Sequence, residues 1–374
     1  MFYPTAYTMA KLRGIAASTQ QDHQYSIKKM YEWAKCEDID LHTRLSRKEY
    51  LDGNEYDRLV DFLSKKFNDK FTNAVSNGKA LARIDHVGSY LTWYATKVLT
   101  DTRQHQNDSN IKNIKTNLDE RKPKKKSNSR ELRKRIYKKM EEPMRLALSD
   151  FLENPTMGVS KPSYIGTNYR TATILQVLSE TGCRKSEALG LQLEHYTRAT
   201  AGNPPSLYFE RTHGNAEDHR LNEPTVKTNE RIYPLSDETA EMIETYLSLY
   251  RAQIPNVSFD SSSHIFVTHL AGHNQGKALE ISAFDSSFAR LKRRYPKLRG
   301  LHCHLLRHDW NYEFSKFAKE KGYSQHQEGA ERCYLAGWNI DSPMPDVYNR
   351  RHIAESAQES AMELARTKRR DKKT

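Results

Sequence analysis

LHCHLLRHDWNYEF (301–314), LAGW (335–338) and VYNRR (347–351) are the stretches on which the fold and chemistry of this chain turn. His304 and Arg307 stand three apart in a run with helical spacing, Trp338 closes the second stretch, and Tyr348 follows ten residues later, with Arg350 and Arg351 just behind it. A guanidinium matches the oxygens of a phosphate through paired N–H donors. An indole N–H can donate to such an oxygen but cannot carry a proton away. A phenol can act as a nucleophile that forms a covalent intermediate. Gathered within about fifty residues of a basic chain, these groups point to chemistry at a phosphate.

The rest of the composition agrees with that direction. Lys and Arg outnumber Asp and Glu by 60 to 47, a net charge of +13, so a polyanion is the natural partner. At 374 residues the chain is long enough for two domains. Cys36, Cys183, Cys303 and Cys333 include no CxxC pair, so neither a zinc ribbon nor a disulfide scaffold is expected, and a reduced cytoplasmic setting is. MFYPTAYTMAKLRGIAAST (1–19) lacks the long apolar core of a signal peptide, and no apolar run approaches the length of a membrane span.

Upstream of the opening stretches, the periodicity predicts helices. Ile27, Met30, Tyr31 and Ala34 share one helical face from Gln21 onward. Asp52-Gly53-Asn54 reads as the start of a second helix with Tyr56, Leu59, Val60, Leu63 and Phe67 on one side, Asn77-Gly78 as a break, and 82–99 as a third helix, with a last weak one before 118. Residues 1–20 are read as an extension, 21–118 as a helical bundle, and 119–130, with its Lys-Pro-Lys-Lys-Lys run, as a basic linker. Beyond it, 131–152 is predicted helical with a bend at Pro143, then 169–180 with a stop at Thr181-Gly182, and a short helix through 183–191. Ser206–Phe209 and Arg231–Leu235 read as paired strands around a turn at 227–230, with a polar insertion at 211–225, and His264–Thr268 as a further short strand. Helices are expected at 237–251, 283–294, 301–321 and 353–366, with a basic tail at 367–374. The fold class is mainly α with a small β-sheet (α+β).

Four segments carry a resemblance. TGCRKSEALGL (181–191), VKTNERIYPL (226–235), HLLRH (304–308) and LAGW…Y (335–348) resemble, in order and spacing, the four signature boxes of the tyrosine recombinase, or phage integrase, family. The resemblance covers 131–366 and implies a catalytic domain there, preceded by a helical DNA-binding domain like the family's core-binding domain. It also implies the site: Arg184 and Arg307 on the non-bridging oxygens, Tyr348 as nucleophile, Lys227 as general acid to the leaving 5′-oxygen, His304 as a phosphate donor or proton carrier, and Trp338 as a donor where many members have histidine. The chemistry fits these residue types. A free phenol has a pKa of about 10, so the site must assist its deprotonation, and a lysine on a turn can protonate a leaving alkoxide.

Alternatives stand beside these readings. Lys161 or Lys185 could replace Lys227, and His302, His304 and His308 could ligate zinc, although the arginine-rich surroundings would repel a cation. Cys183 and Cys303 read as buried structural residues. The two prolines Pro343 and Pro345 are expected to reshape a loop presenting Tyr348. The expected activity is site-specific recombination of double-stranded DNA through a 3′-phosphotyrosyl link, for integration or excision of a mobile element, by a homotetramer on two DNA sites. The resemblance implies no cofactor and no metal, with DNA-bending or directionality proteins as candidate helpers and the nucleoid as the location in a bacterium. A type IB topoisomerase and a DNA-binding protein with a silent site are the other readings.

Overall fold

The computed structural model describes residues 2–66, 74–98, 109–124, 139–159, 161–210, 218, 220 and 229–370. It divides into two compact units, Met1–Ser127 and Asn128–Thr374. It is mainly helical with one small antiparallel sheet, as the sequence predicts. Among the described residues no helix is long and apolar enough to cross a membrane.

The first unit is a bundle of α1 (Phe2–Tyr7), α2 (Ala17–Cys36), α3 (Leu41–Ser46), α4 (Gly53–Leu63), α5 (Asn77–Val98) and α6 (Ser109–Glu120). Ile27, Met30 and Trp33 of α2 interlock with Leu59 and Leu63 of α4, with Ile84, Val87 and Leu91 of α5, and with Ile111, Ile114 and Leu118 of α6. Tyr7 and Leu12, within the stretch read as an extension, belong to the same core. The start of α4 is a capping box: Asp52 accepts the Glu55 N–H at 2.8 Å and Glu55 accepts the Asp52 N–H at 2.9 Å. Asn77-Gly78 opens α5 where a break was expected. Arg121 and Lys122, read as linker, pair with Asp57 at 2.8 Å and Asp85 at 2.5 Å and so hold to this bundle. Phe67 and the Lys125–Arg130 part of the linker lie outside the described residues.

The second unit is organised on α8 (Ile165–Thr181), which follows α7 (Glu142–Glu153) and is buried nearly all round through Ala172, Ile174, Leu175, Val177 and Leu178. Around it stand α9 (Lys185–Gly190), α10 (Asp237–Thr245), α11 (Ile281–Arg294) and α12 (Cys303–Glu320), followed by α13 (Gln325–Ala336) and α14 (Met344–Arg370). Pro143 sits in the first turn of α7, where its missing N–H costs nothing, so it starts the helix rather than bending it. The predicted residues 131–138 lie outside the described ones, as does the insertion at 211–225 apart from Asp218 and Arg220.

The sheet runs β1 (Tyr196–Thr197), β2 (Ser206–Phe209), β3 (Arg231–Pro234), with Leu207 opposite Tyr233 and Phe209 opposite Arg231. β1 is too short to show a period in the sequence. His264–Thr268 is not a strand. Its apolar residues Ile265, Phe266 and Val267 are buried, but its backbone bonds go singly to Leu191 and to the Lys277–Leu279 segment.

Two histidines give this unit a pH dependence. Burial, with the Arg220 charge next, lowers the pKa of His264 from 6.5 to about 4. Burial, then Arg170, lowers that of His269 to about 3. The folded state holds both neutral, so their stabilisation is present above the unfolded value of 6.5 and is lost as pH falls toward the folded values. Stability should fall below pH 6.5, by about 1 kcal/mol per histidine for each pH unit, with melting temperature falling in step, and His269→Gln should flatten that slope. A slope identical in the variant would show that His269 does not govern it.

Candidate active site

The geometry begins at the end of α8. Gly182 caps that helix with φ 59°, and a Cβ there would lie 2.6–2.8 Å from the Trp310 indole. Both the left-handed backbone and the close ring exclude any other residue. The turn buries Cys183, whose thiol burial pushes up to about 12, and sets Arg184 at the start of α9. The Arg184 backbone N–H donates to Glu187 at 2.5 Å.

Arg307 of α12 is only 2% exposed. Its Nη1 donates to the Gly182 carbonyl at 2.6 Å and its Nη2 to the Ala336 carbonyl at 3.3 Å, while its guanidinium lies 5.0 Å from the centre of the Trp338 ring. One side chain therefore ties the 181–191 stretch and the 335–338 stretch to α12. Burial lowers its pKa, as does neighbouring Arg184, against the opposite pull of Glu187 and Tyr348.

α13 ends on Gly337, φ 67°, and the chain turns to bury Trp338. The Trp338 indole stacks on Tyr348 with centroids 5.4 Å apart and planes 19° off parallel. His308 lies 4.8 Å from the Tyr348 ring and His304 6.3 Å from it, the two imidazoles meeting edge-on at 4.6 Å. Tyr348 itself is 7% exposed. The expected loop is confined to 337–343, between the end of α13 and the start of α14. α14 begins at Met344, Pro345 occupies its first turn, and Tyr348 stands on the helix, because a first turn needs no N–H from its proline.

Two buried donors in this cluster, Trp338 Nε1 and Arg184 Nη1, have no hydrogen-bond partner among the described residues. An unmade buried hydrogen bond costs about 1–3 kcal/mol, so such groups ask for a functional acceptor. Arg184, His304 and Arg307 line an open pocket of about 420 Å³ together with Lys185, Lys292 and Cys303. Burial pushes the Cys303 thiol up to about 11, so it is no ready nucleophile. Cationic donors thus face the pocket, with the stacked Trp338–Tyr348 pair against Arg307.

Lys227 lies outside the described residues. Its neighbours on the returning arm are tied to the site. Asn229 donates its backbone N–H to Gly337 O at 2.8 Å and its side-chain N–H to Trp338 O at 3.3 Å. Arg231 of β3 donates to Leu335 O at 2.8 Å and pairs with buried Glu187 at 3.1 Å. Of the other lysines considered, Lys185 lines the pocket but pairs with Asp285 at 2.7 Å, and Lys161 is exposed beside the turn Pro162–Tyr164. His302 accepts the Leu305 N–H at 3.0 Å and serves as the cap of α12.

Sequence reasoning passed over Glu187, Asn229 and Arg231 as site residues and weighed His308 only as a metal ligand. The i, i+4 spacing of His304 and His308 was signal enough to put both on one helix face. The pairing of Glu187 with Arg231 joins residues 44 apart and left no local mark.

Residues 159–316 match the model of the phage integrase family. That span contains Arg184, Lys227, His304 and Arg307 and stops short of Trp338 and Tyr348. No protein of curated function matches the chain in sequence. Among solved structures, the XerH site-specific recombinase bound to difH substrate in a pre-cleavage complex is similar at TM-score 0.52 and 15% identity, over 95% of this chain and 82% of that one. The post-cleavage complex of XerH with palindromic difH substrate gives TM-score 0.48 and 14% identity, over 85% and 73%. The first of these likenesses supports the fold, and the sequence match places a phage-integrase-like segment, 159–316, within the Asn128–Thr374 unit.

Proposed function

We propose that the protein is a site-specific DNA recombinase that breaks and rejoins duplex DNA through a 3′-phosphotyrosyl link on Tyr348. The observation that carries this reading is the set of buried donors, Arg184 Nη1, Trp338 Nε1 and the Arg307 guanidinium, gathered with Tyr348, a phenol that packs against two imidazoles. Such donors suit the charge that grows on non-bridging oxygens in the transition state, where a preorganised N–H acts most strongly.

In this mechanism the Tyr348 oxygen attacks the phosphorus and gives its proton toward the His304–His308 pair. The bond from phosphorus to the 5′-oxygen breaks, and that oxygen takes a proton from Lys227. Rejoining reverses the step, with a second strand's 5′-hydroxyl attacking the phosphotyrosine. The phosphodiester energy stays in the covalent link, so the step needs no nucleotide. Recombination joins two duplexes, which calls for a homotetramer on two sites, in the setting of a mobile element and with accessory DNA-bending or directionality proteins where the element uses them. The net charge of +13 favours the DNA contact.

The test is a nicked duplex, selected by binding from a random-sequence pool, that traps the covalent adduct once the cut fragment diffuses away. Adduct and strand exchange between two selected sites are expected. Relaxation of supercoils without exchange would indicate a topoisomerase, and DNA binding with no adduct would overturn the reading. Trp338→Phe, which keeps a ring against Tyr348 but removes the donor, should slow adduct formation about 100-fold. Trp338→His, with a ring N–H, should retain more. Equal rates for wild type and Trp338→Phe would remove the indole from the mechanism.

A further inference from the structure

The helix that carries Tyr348 is held by an unusual kind of contact. Among the described residues of α14, only Met344 and Tyr348 pack with the Cys333, Ala336 and Trp338 cluster, while Val347, Ile353, Met362 and Leu364 are exposed. Apolar burial alone therefore does little to fix where this helix sits. It is held instead by partly buried polar contacts. Asn349, the residue after the tyrosine, accepts the Ser315 hydroxyl at 2.7 Å and donates to Glu328 at 3.1 Å. Arg332, 0% exposed, donates to the Ser315 hydroxyl at 2.7 Å and pairs with Glu328.

This cluster continues directly to Arg307. Arg307, Asn311 and Ser315 recur at i, i+4 and i+8 on one buried face of α12. Asn311 donates to the Arg307 carbonyl at 2.8 Å, and the Ser315 hydroxyl lies 3.1 Å from the Asn311 carbonyl. A hydroxyl has one proton to give. The shorter distance directs it to Asn349, with Arg332 filling a lone pair. A buried polar track so runs from the arginine against the pocket to the residue beside the tyrosine.

We propose that Asn349, clamped by Ser315 and Glu328, both of them held by Arg332, is a positioning residue that sets the register of Tyr348 for in-line attack. This rests on the recombinase reading above. Its physical reason is directional. Apolar contacts tolerate sliding, whereas hydrogen bonds to both ends of one amide fix a helix along and about its axis. One residue of slip turns a helical side chain by about 100° and moves it about 1.5 Å. An error of about 1 Å at the reacting atoms can cost on the order of 100-fold in rate. Arg351 and Glu355 add a second fastening on the same helix, bonded to one another at 3.0 Å, with Tyr312 bonded to Glu355 and its ring 3.6 Å from the Arg351 guanidinium.

The experiment compares full-length wild type, Asn349→Leu, Asn349→Asp, and Asn349→Asp combined with Glu328→Gln. The probe is the nicked duplex selected by the wild-type protein, at saturating concentration, with affinity for the uncut duplex and melting temperature measured in parallel. Asn349→Leu should form adduct at least about 10-fold more slowly with affinity unchanged. Asn349→Asp should be slower still, because it sets a carboxylate against Glu328. The double variant restores a donor opposite an acceptor, with polarity reversed, and should recover most of the rate. Wild-type adduct rates in Asn349→Leu, no recovery in the double variant, or a rate loss matched by equal loss of affinity or melting temperature would each overturn the proposal. No adduct from wild type would overturn the recombinase reading and this inference with it. Equal adduct from all four proteins would overturn this inference alone.

Discussion

Tyr348→Phe is expected to abolish covalent adduct formation while leaving DNA affinity and melting temperature close to wild type. The substitution removes one oxygen and no ring. The stack on Trp338, at 5.4 Å, and the contact with His308, at 4.8 Å, belong to the ring and survive. What is lost is the only atom through which this side chain can join a phosphorus, so the effect on rate is total rather than graded. The measurement is the adduct band on a denaturing gel with a nicked duplex, beside a binding titration. An adduct of wild-type yield from Tyr348→Phe would mean that another of the 21 tyrosines is the nucleophile. Loss of binding with loss of adduct would mean that the phenol's role is structural.

Arg307 is the position where catalysis and stability should fail together. Arg307→Ala leaves the Gly182 and Ala336 carbonyls without the N–H groups that lie 2.6 and 3.3 Å from them, and removes a buried side chain from between two helices. Each unmade buried hydrogen bond costs about 1–3 kcal/mol. The repulsion between Arg307 and Arg184 disappears as well, which offsets part of the loss. The net cost should be about 3 kcal/mol, visible as a clear drop in melting temperature, with no adduct formed. Arg307→Lys separates the two effects. An ammonium can reach one carbonyl and keeps the charge, so much of the stability should return. The fork geometry of the guanidinium does not return, and adduct formation should stay at least about 100-fold down. A fully active Arg307→Lys would confine Arg307 to holding the two carbonyls.

How much of this could be read in advance follows from what kind of signal each feature leaves. Helical spacing marked α2, α4 and α12, since their buried faces recur every three or four residues, whereas α8, buried nearly all round, was marked by its apolar run and Thr-Gly stop. The segment at 264–268 was misjudged because three apolar residues in a row look alike whether they pair in a ladder or merely fill a core. The start of α14 was misjudged for a different reason. Pro343 and Pro345 were expected to reshape a loop, but Pro343 ends that loop and Pro345 enters the first turn of α14, where no N–H is needed.

The sequence by itself determined the chemistry on offer. It specified the mainly helical class, the Thr-Gly stop that presents Arg184, the helix that carries His304 and Arg307, and the order of boxes in which the resemblance to phage integrases lies. These are local matters of spacing, capping and residue type, which a single chain displays directly. Only the tertiary structure decided which groups meet. Arg307 reaches Gly182 across 125 residues, Asn229 reaches Trp338 across 109, and Asn349 closes on Ser315 and Glu328 across 34 and 21. Such partners are set by how helices pack. A buried hydrogen bond between distant residues leaves no period, composition or spacing in the chain to announce it. Tyr348 could thus be named from its place after Trp338, whereas the contacts that hold it against Trp338 and the two histidines emerged only when the helices were assembled.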